Sequence, residues 1–296
     1  MLHSPEFDQA AGAQVYFKCE NLQLGGAFKI RGASNLILSI PPADLPKGVV
    51  AFSSGNHAIA VGLASRHAGT AATIVMPSDA PRSKQEATRA TGARIVLYDR
   101  LRENREAIAA ELLGQTGATL APPFDHPLIA EGQGTAALEL LEDVPDLDAL
   151  IVPVGGGGLF SGCATIAKDI RPAIRMFGVE PADGNDTYLS IQAGERRSIP
   201  LPHTIADGLR SPQPGEVTFP VVRRLAEQIL LVSDDEIRAA VLFLLTRLKI
   251  LVEPSGAVGA AALLSGKAPR DLRNIGVVLS GGNVDLEQLA GFSARC

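Results

Sequence analysis

The 296-residue sequence has no tryptophan, only 4% aromatic residues and only three cysteines. The shortage of aromatic side chains predicts a core built mainly from aliphatic residues. Three cysteines in a chain of this length give no disulfide framework, which favours a reducing compartment. No run reaches 18 apolar residues, and the apolar stretch near the start is too short and too polar for a signal peptide. We therefore expect a cytoplasmic protein without a membrane partner.

The charge balance argues against a nucleic-acid partner. Lysine and arginine total 27 and aspartate and glutamate total 32, which gives a net charge of −5. A nucleic-acid-binding domain carries a basic patch, whereas the basic residues here are scattered among acidic ones. At about 150 residues per domain, the length predicts about two domains.

Short apolar runs alternate with stretches of helical periodicity. This alternation is typical of an α/β protein whose open, mainly parallel sheets are covered by helices. The proline-rich stretch 118–127 and the Pro41-Pro42 pair mark two crossovers. We predict a small domain, residues 43–125, inserted into a large domain made of 1–42 and 126–296. Strands are predicted at 49–52, 71–76, 94–98, 150–154, 175–179 and 275–279, and helices at 58–67, 81–91, 102–113 and 159–169.

Four consecutive glycines, Gly155 to Gly158, follow one predicted strand and open a helix at Leu159. Backbone N–H groups at such a turn converge on an anion, and a Cβ atom would block the approach of a phosphate. The phosphate-loop pattern does not match, because it ends in Gly-Lys-Ser/Thr and Leu159 follows the glycines here. The dinucleotide pattern G-x-G-x-x-G does not match either, because Phe160 stands where its last glycine would be. Glu180 follows about 20 residues later at a strand end, where the dinucleotide-binding fold places the acid that binds the ribose, so a nicotinamide enzyme is one alternative. A plain tight turn without a ligand is the structural alternative.

A second polar turn runs from Ser53 to His57 after another predicted strand. Its hydroxyl and amide groups at a helix N-terminus suit a carboxylate or another small anion. Ordinary capping by serine or asparagine is the structural alternative, and His57 alone favours a structural role.

Lys29 lies among small and apolar residues. Desolvation there would lower the pKa of its amine and keep it nucleophilic, although most lysines are simply surface residues.

Five motifs lie between residues 18 and 283: KCENLQLGGAFKIRGA, SSGNHA, VPVGGGGLFSG, TIADGLRS and VLSGGN. Together they resemble the fold-type II (tryptophan synthase β-like) family of pyridoxal phosphate enzymes. The FKIRG form around Lys29 resembles the serine/threonine dehydratase and serine racemase branch, whereas the cysteine synthase and threonine synthase branches usually have Lys-Asp-Arg. The resemblance implies a large cofactor-binding domain and a small mobile domain that closes over the substrate.

The resemblance implies a role for each matching residue toward pyridoxal 5'-phosphate. Lys29 would carry the cofactor as a Schiff base, and Phe28 would pack beside the ring. Asn56 would bond the phenolic oxygen of the cofactor, and Ser280 would face its pyridine nitrogen. A hydroxyl is a weak acid partner for that nitrogen, so the ring is a weaker electron sink, which favours elimination over chemistry that needs a long-lived carbanion. The phosphate would be held by Gly155, Gly156, Gly157, Gly158 and Leu159.

On the substrate side, the α-carboxylate would bind at the turn made of Ser53, Ser54, Gly55, Asn56 and His57. Ser54 would lie on the face opposite Lys29, as the second acid/base of a racemase.

Two further residues are candidates for the substrate side chain. Ser211 lies in the TIADGLRS motif, and Arg102 would meet a second carboxylate. A plain turn and a solvated helix face are the respective alternatives.

The acidic turn from Glu180 to Asp186 offers hard oxygen ligands for Mg²⁺ or Ca²⁺. Such a turn is usually just solvated, but racemase-like members of the branch use this spacing. The resemblance implies side-chain ligands at Glu180 and Asp186 and a carbonyl ligand at Gly184.

The function expected is α,β-elimination from L-threonine or L-serine, which gives a 2-oxo acid and ammonia. A serine or aspartate racemase and a dehydratase of threo-3-hydroxyaspartate or another β-hydroxy amino acid are the alternatives on the same site. A non-catalytic binding module is the alternative from another class. A homodimer is expected by analogy. Relatives usually have a further helix and a Thr-Pro segment before Met1, and no regulatory domain is expected after Cys296.

Overall fold

The computed structural model describes residues 1–293 and divides into two compact units. The large unit joins Met1–Phe28 to the chain from Phe124 onward, and the small unit is Lys29–Pro123. The sequence places these junctions at 42/43 and 125/126. The first junction lies earlier in the structure because the helix that begins at Lys29 packs against the next helix of the small unit.

The strands and helices of residues 1–293 alternate along most of the chain. The strands are β1 Leu2–His3, β2 Gln14–Cys19, β3 Val49–Phe52, β4 Ala72–Pro77, β5 Arg94–Tyr98, β6 Thr119–Leu120, β7 Ala149–Pro153, β8 Arg175–Pro181, β9 Gln228–Val232 and β10 Asn274–Leu279. The helices are α1 Pro5–Ala11, α2 Lys29–Leu38, α3 Asn56–Ala68, α4 Arg82–Ala90, α5 Arg105–Thr116, α6 Pro127–Asp143, α7 Gly158–Ile170, α8 Asp186–Ala193, α9 Thr218–Leu225, α10 Asp234–Phe243, α11 Pro254–Leu264 and α12 Leu286–Ser293.

The large unit is built on a six-stranded sheet with the order β1-β2-β10-β7-β8-β9. Every neighbouring pair is parallel except β1–β2 at one edge. Both faces are buried, as parallel sheets require. On β7, Ala149 and Ile151 join the core that includes α10 and α11, while Leu150 and Val152 join the core that includes α6 and α7.

Two glycines bring α6 and α7 into close contact. A Cβ atom at Gly162 would lie 1.9 Å from the carbonyl oxygen of Ala130, and one at Gly134 would lie 2.7 Å from that of Gly162. No larger residue fits at this crossing without displacing a helix backbone. The start of α7 is therefore set firmly against α6.

The small unit has a four-stranded parallel sheet with the order β5-β4-β3-β6. The turns that follow β3, β4 and β5 share the carboxyl edge of this sheet, where α/β proteins bind ligands. The predicted helix 102–113 starts later than expected, at Arg105, because Asn104 caps α5 by accepting a hydrogen bond from the Ala107 N–H at 2.9 Å. The predicted α/β class with mainly parallel sheets is confirmed.

Candidate active site

The glycine turn of the large unit connects β7 to α7. Gly157 has a φ of 91°, a left-handed conformation that favours glycine, and it provides no side-chain cap for α7. A Cβ atom at Gly156 would lie 2.3 Å from the Phe124 ring, and one at Gly158 would lie 3.0 Å from Phe124. This turn is a cradle that only glycine can form, with the positive end of a helix dipole behind it.

The segment that leads to Lys29 runs along the chain after β10. The Phe28 N–H donates to the Ser280 carbonyl oxygen at 3.0 Å, and the Gly282 N–H donates to the Gly26 carbonyl oxygen at 2.9 Å. Ser280 directly follows β10 and is buried. The residue just before Lys29 is thereby tied to the backbone of Ser280.

Glu253, for which no role follows from the sequence, supports the same segment. Its N–H donates to the Gly281 carbonyl oxygen at 3.0 Å, and its carboxylate accepts from the Asn283 N–H at 3.1 Å. The Asn283 side chain in turn donates to the Gly25 carbonyl oxygen at 2.8 Å. No periodic pattern in the sequence signals this set of contacts.

In the small unit, Lys29 is the first residue of α2, and its Nζ atom donates to the Pro123 carbonyl oxygen at 2.6 Å. The Nε2 atom of buried His57 bonds the Ala121 carbonyl oxygen at 2.8 Å, which assigns the proton to Nε2. Burial and the charge of Lys29 lower the pKa of His57 to about 3. The imidazole is therefore neutral, and its Nδ1 atom has no hydrogen-bond partner within residues 1–293.

The turn after β3 contains the serines predicted to bind a carboxylate. The Ser53 N–H donates to the Val75 carbonyl oxygen at 3.1 Å, and the Ser53 hydroxyl accepts from the Gly55 N–H at 3.3 Å. Gly55 gives α3 no side-chain cap, and no atom of residues 1–293 outside the neighbouring backbone lies within 4 Å of its Cβ position. An open, uncapped helix N-terminus flanked by Ser54 and Asn56 suits a small anion.

Two predicted substrate residues already have partners within their own turns. Arg102 lies in the turn after β5, with its side chain 85% exposed and its Nε atom 3.7 Å from Asp99. That turn is at the same sheet edge as the serine turn. The Ser211 hydroxyl donates to the Gln213 carbonyl oxygen at 2.7 Å.

The predicted metal ligands are buried beside each other in the large unit. The Glu180 carboxylate accepts from the Thr187 N–H at 3.1 Å and the Tyr188 N–H at 2.9 Å. Burial and the charge of Asp186 raise the pKa of Glu180 well above its ordinary value, and burial raises the pKa of Asp186 to about 7.

The donor set fits a hard cation with two carboxylates. Asp186 is fully buried, yet neither of its carboxylate oxygens has a hydrogen-bond partner within residues 1–293. Buried carboxylates without donors are paired with cations or neutralised. Across the described chain, no three or more His, Cys, Asp or Glu side chains group as metal ligands, so carbonyl or water oxygens would have to complete the shell.

A family model described as "Pyridoxal-phosphate dependent enzyme" matches residues 1–281. The chain belongs to this family of pyridoxal-phosphate dependent enzymes. The matched range includes Lys29, both polar turns and Ser280. The resemblance stated from the sequence is thereby confirmed, and the family gives no support to a nicotinamide enzyme or a non-catalytic module.

Three similar proteins indicate which branch of the family this pyridoxal-phosphate dependent enzyme resembles. It is 47% identical over 290 residues to an L-threo-3-hydroxyaspartate ammonia-lyase of Saccharomyces cerevisiae, covering 98% of this chain and 89% of that protein. It is 45% identical to a serine racemase of Schizosaccharomyces pombe over 96% of this chain and 88% of that one. A solved structure of maize serine racemase matches with a TM-score of 0.95 and 43% identity over 99% of this chain and 91% of that chain.

The structure gives the positions of the predicted residues, and their individual roles stay predictions. Phe124, Asp125 and Thr218 support the glycine turn, although the sequence marks 118–127 only as a proline-rich crossover.

Within residues 1–293, no helix is both long enough and apolar enough to cross a membrane.

Proposed function

We propose that the protein is an ammonia-lyase that removes water from a small L-β-hydroxy amino acid and releases a 2-oxo acid and ammonia. L-threo-3-hydroxyaspartate and L-serine rank ahead of L-threonine as substrates. One combination of features carries the proposal. The Lys29 amine is held on the Pro123 carbonyl near the neutral His57, and in the same unit the N-terminus of α3 is open to a carboxylate.

The glycine turn suits the phosphate of pyridoxal phosphate because it opens α7 without a side-chain cap, and the packing of Phe124 and Thr218 against it requires glycine at 156, 157 and 158. When bound, the cofactor draws electrons away from the substrate α-carbon. In this proposal Lys29 links to the cofactor and Ser280 faces its pyridine nitrogen. Phe28 lies beside the ring, and Asn56 bonds the phenolic oxygen.

The remaining steps use the chain's own groups. The turn from Ser53 to His57 binds the α-carboxylate, and the freed Lys29 amine removes the α-proton. The C–O bond at the β-carbon then breaks as a C=C bond forms between the α- and β-carbons, and the hydroxyl leaves as water with a proton that balances the one Lys29 removed. Water later hydrolyses the released enamine, so water is lost and regained and no external oxidant is required.

The preference for hydroxyaspartate depends on a second cationic group. Arg102 lies at the sheet edge that carries the serine turn, and its guanidinium makes an exposed ion pair with Asp99. Exposed ion pairs contribute little, so its guanidinium can exchange that partner for a substrate carboxylate. The similarity to hydroxyaspartate ammonia-lyases supports this assignment.

The substrate experiment compares 2-oxo acid formation from L-threo-3-hydroxyaspartate, L-serine and L-threonine. We expect Arg102→Gln to raise KM for hydroxyaspartate about tenfold, the cost of one charge-assisted hydrogen bond, and to leave KM for serine unchanged. Arg82→Gln is the matched control, because Arg82 is equally exposed and pairs with Glu86. An equal effect on both substrates would contradict the role of Arg102.

Serine racemisation is the second candidate function, supported by Ser54 and by the similarity to serine racemases. A proton returned by Ser54 to the face opposite Lys29 would give the D-isomer. Ser54→Ala should spare elimination from L-serine and abolish turnover of D-serine. Loss of both reactions would contradict a separate acid/base role.

We also propose that Mg²⁺ or Ca²⁺ binds the Glu180 and Asp186 carboxylates and the Gly184 carbonyl. The orphaned oxygens of Asp186 support this site.

A further inference from the structure

A buried hydroxyl holds one peptide of the glycine turn. Thr218 is the first residue of α9, and its Oγ1 atom donates to the Gly156 carbonyl oxygen at 2.6 Å. Its side chain is buried, and a Cβ atom at Gly157 would lie 2.8 Å from the same hydroxyl. The Gly215 N–H points at the same carbonyl from 3.3 Å. The orientation of the Gly156 carbonyl is therefore fixed from outside the turn.

Because the peptide group is planar, the contact between Thr218 and the Gly156 carbonyl also fixes the direction of the Gly157 N–H. In a trans peptide, the carbonyl of one residue and the N–H of the next point in opposite directions. No cis peptide occurs among residues 1–293. Holding the Gly156 carbonyl on Thr218 therefore aims the Gly157 N–H at the opposite side of the turn. That N–H is one of the donors that the proposed function gives to the cofactor phosphate.

Asp125 sets the position of Thr218. Its carboxylate accepts hydrogen bonds from three consecutive N–H groups: Glu216 at 2.8 Å, Val217 at 2.9 Å and Thr218 at 3.3 Å. A Cβ atom at Gly215 would lie 2.2 Å from this carboxylate, so glycine is required for the approach. A carboxylate at a helix N-terminus is also favoured by the helix dipole. Asp125 thus anchors α9 where the Thr218 hydroxyl reaches the turn.

We propose that Thr218, anchored by Asp125, is a positioning residue that presets the phosphate-binding N–H groups of the glycine turn. The inference rests on the proposed function, which places the cofactor phosphate there. Thr218 touches the turn and acts through it. Its effect should therefore be confined to ligands that carry the phosphate.

The test is a comparison of pyridoxal phosphate with pyridoxal, which lacks the phosphate, on the cofactor-free protein. Thr218→Val keeps the shape of the side chain and removes the hydroxyl. We expect it to weaken pyridoxal phosphate binding about tenfold or more, because the Gly156 carbonyl loses the shorter of its two hydrogen bonds, and to change pyridoxal binding less than about twofold. Thr218→Ser should restore wild-type affinity.

Thr165→Val is the control, because it makes the same substitution at a more exposed threonine whose hydroxyl donates to the Ser161 carbonyl within α7. Asp125→Asn provides a second route if Thr218→Val does not fold, and it should weaken phosphate-dependent binding several-fold. The phosphorus NMR signal of the bound cofactor should shift in Thr218→Val and stay unchanged in Thr165→Val.

The outcomes separate the two proposals. A wild-type protein that binds neither ligand would overturn the proposed function. A wild-type protein that binds pyridoxal phosphate, with Thr218→Val binding it equally well, would overturn the positioning role alone. Equal weakening of pyridoxal and pyridoxal phosphate would also overturn it, because it would indicate a general structural defect.

Discussion

At the residue scale, a neutral histidine links two parts of the small unit. His57 donates from Nε2 to the Ala121 carbonyl, and two residues later the Pro123 carbonyl accepts from Lys29. Both bonds hold the end of the same segment. The imidazole therefore helps to fix the carbonyl on which the lysine amine rests.

The depressed pKa of His57 predicts a loss of stability in acid. In the unfolded chain the histidine takes up a proton near its ordinary pKa of 6.5, whereas in the fold it does so only near 3. Between these values the unfolded state binds more protons, so stability falls as the pH falls. From pH 7 to pH 5 this group should cost up to about 2 kcal/mol.

Urea unfolding at both pH values measures this effect. His57→Asn should flatten the dependence, whereas His67→Asn, which removes an exposed histidine from the same helix, should leave it as in the wild type. An unchanged slope in His57→Asn would show that the group is not buried as a neutral imidazole.

Some residues of the candidate site are evident from sequence and others are not. The four glycines are adjacent in the chain, so the turn they form is visible as a pattern. Thr218 reaches Gly156 across 62 residues, and Asp125 reaches the start of α9 across more than 90. No local periodicity marks such contacts, because they depend on how α9 is placed against the sheet.

At the element scale, the β7–turn–α7 unit depends on the absence of side chains. Gly156→Ala would place a methyl group 2.3 Å from the Phe124 ring, which would have to move. We expect a loss of about 1–3 kcal/mol in unfolding free energy and weaker cofactor binding. Cofactor titration and urea unfolding measure both.

Gly114→Ala is the control for this substitution. Gly114 lies inside α5, and in the described part of the chain no atom beyond the backbone of that helix is within 4 Å of its Cβ position. Alanine should therefore stabilise the helix by about 0.5–1 kcal/mol and leave cofactor binding unchanged. Comparable behaviour of the two variants would mean that the glycine turn tolerates a side chain.

Most elements follow from hydrophobic periodicity because strand and helix repeats differ in period. The strand predicted at 94–98 coincides with β5. The start of α5 was predicted three residues early, since the pattern of 102–104 is compatible with a helix but the Asn104 cap begins it at Arg105. Caps decide where helices begin, and periodicity does not record them.

At the scale of the whole molecule, the buried acids predict that a cation changes stability in a pH-dependent way. The pKa of Asp186 is about 7 in the fold against an ordinary 3.8, so the fold holds the proton more tightly. Without metal, this contribution to stability is present below about pH 4 and is lost as the pH rises through 7. A bound cation requires the ionised forms and reverses the loss.

Thermal unfolding with EDTA and with Mg²⁺ at pH 5.5 and pH 8 tests this expectation. Mg²⁺ should raise the Tm more at pH 8, and Asp186→Asn should abolish the difference. Asp183→Asn, an exposed acid in the same turn, should behave like the wild type. A Tm insensitive to Mg²⁺ and Ca²⁺ at pH 8 would contradict the site.

The division into units was harder to predict than the fold class. Alternating strands and helices indicate parallel sheets regardless of where the boundary between the two units lies. The junction at Phe28 and Lys29 lies inside the FKIRG motif, where no proline or composition change marks it. It is set by packing of α2 against α3, a contact between whole helices.

The most direct test of the central claim is the absorption spectrum of the purified protein and of Lys29→Ala, with 2-oxo acid assayed after each candidate substrate. The wild type should show a near-visible band of bound pyridoxal phosphate that changes on adding L-threo-3-hydroxyaspartate or L-serine, with 2-oxo acid released. Lys29→Ala should lose both. A wild type without such a band after addition of pyridoxal phosphate, or a fully active Lys29→Ala, would contradict the account.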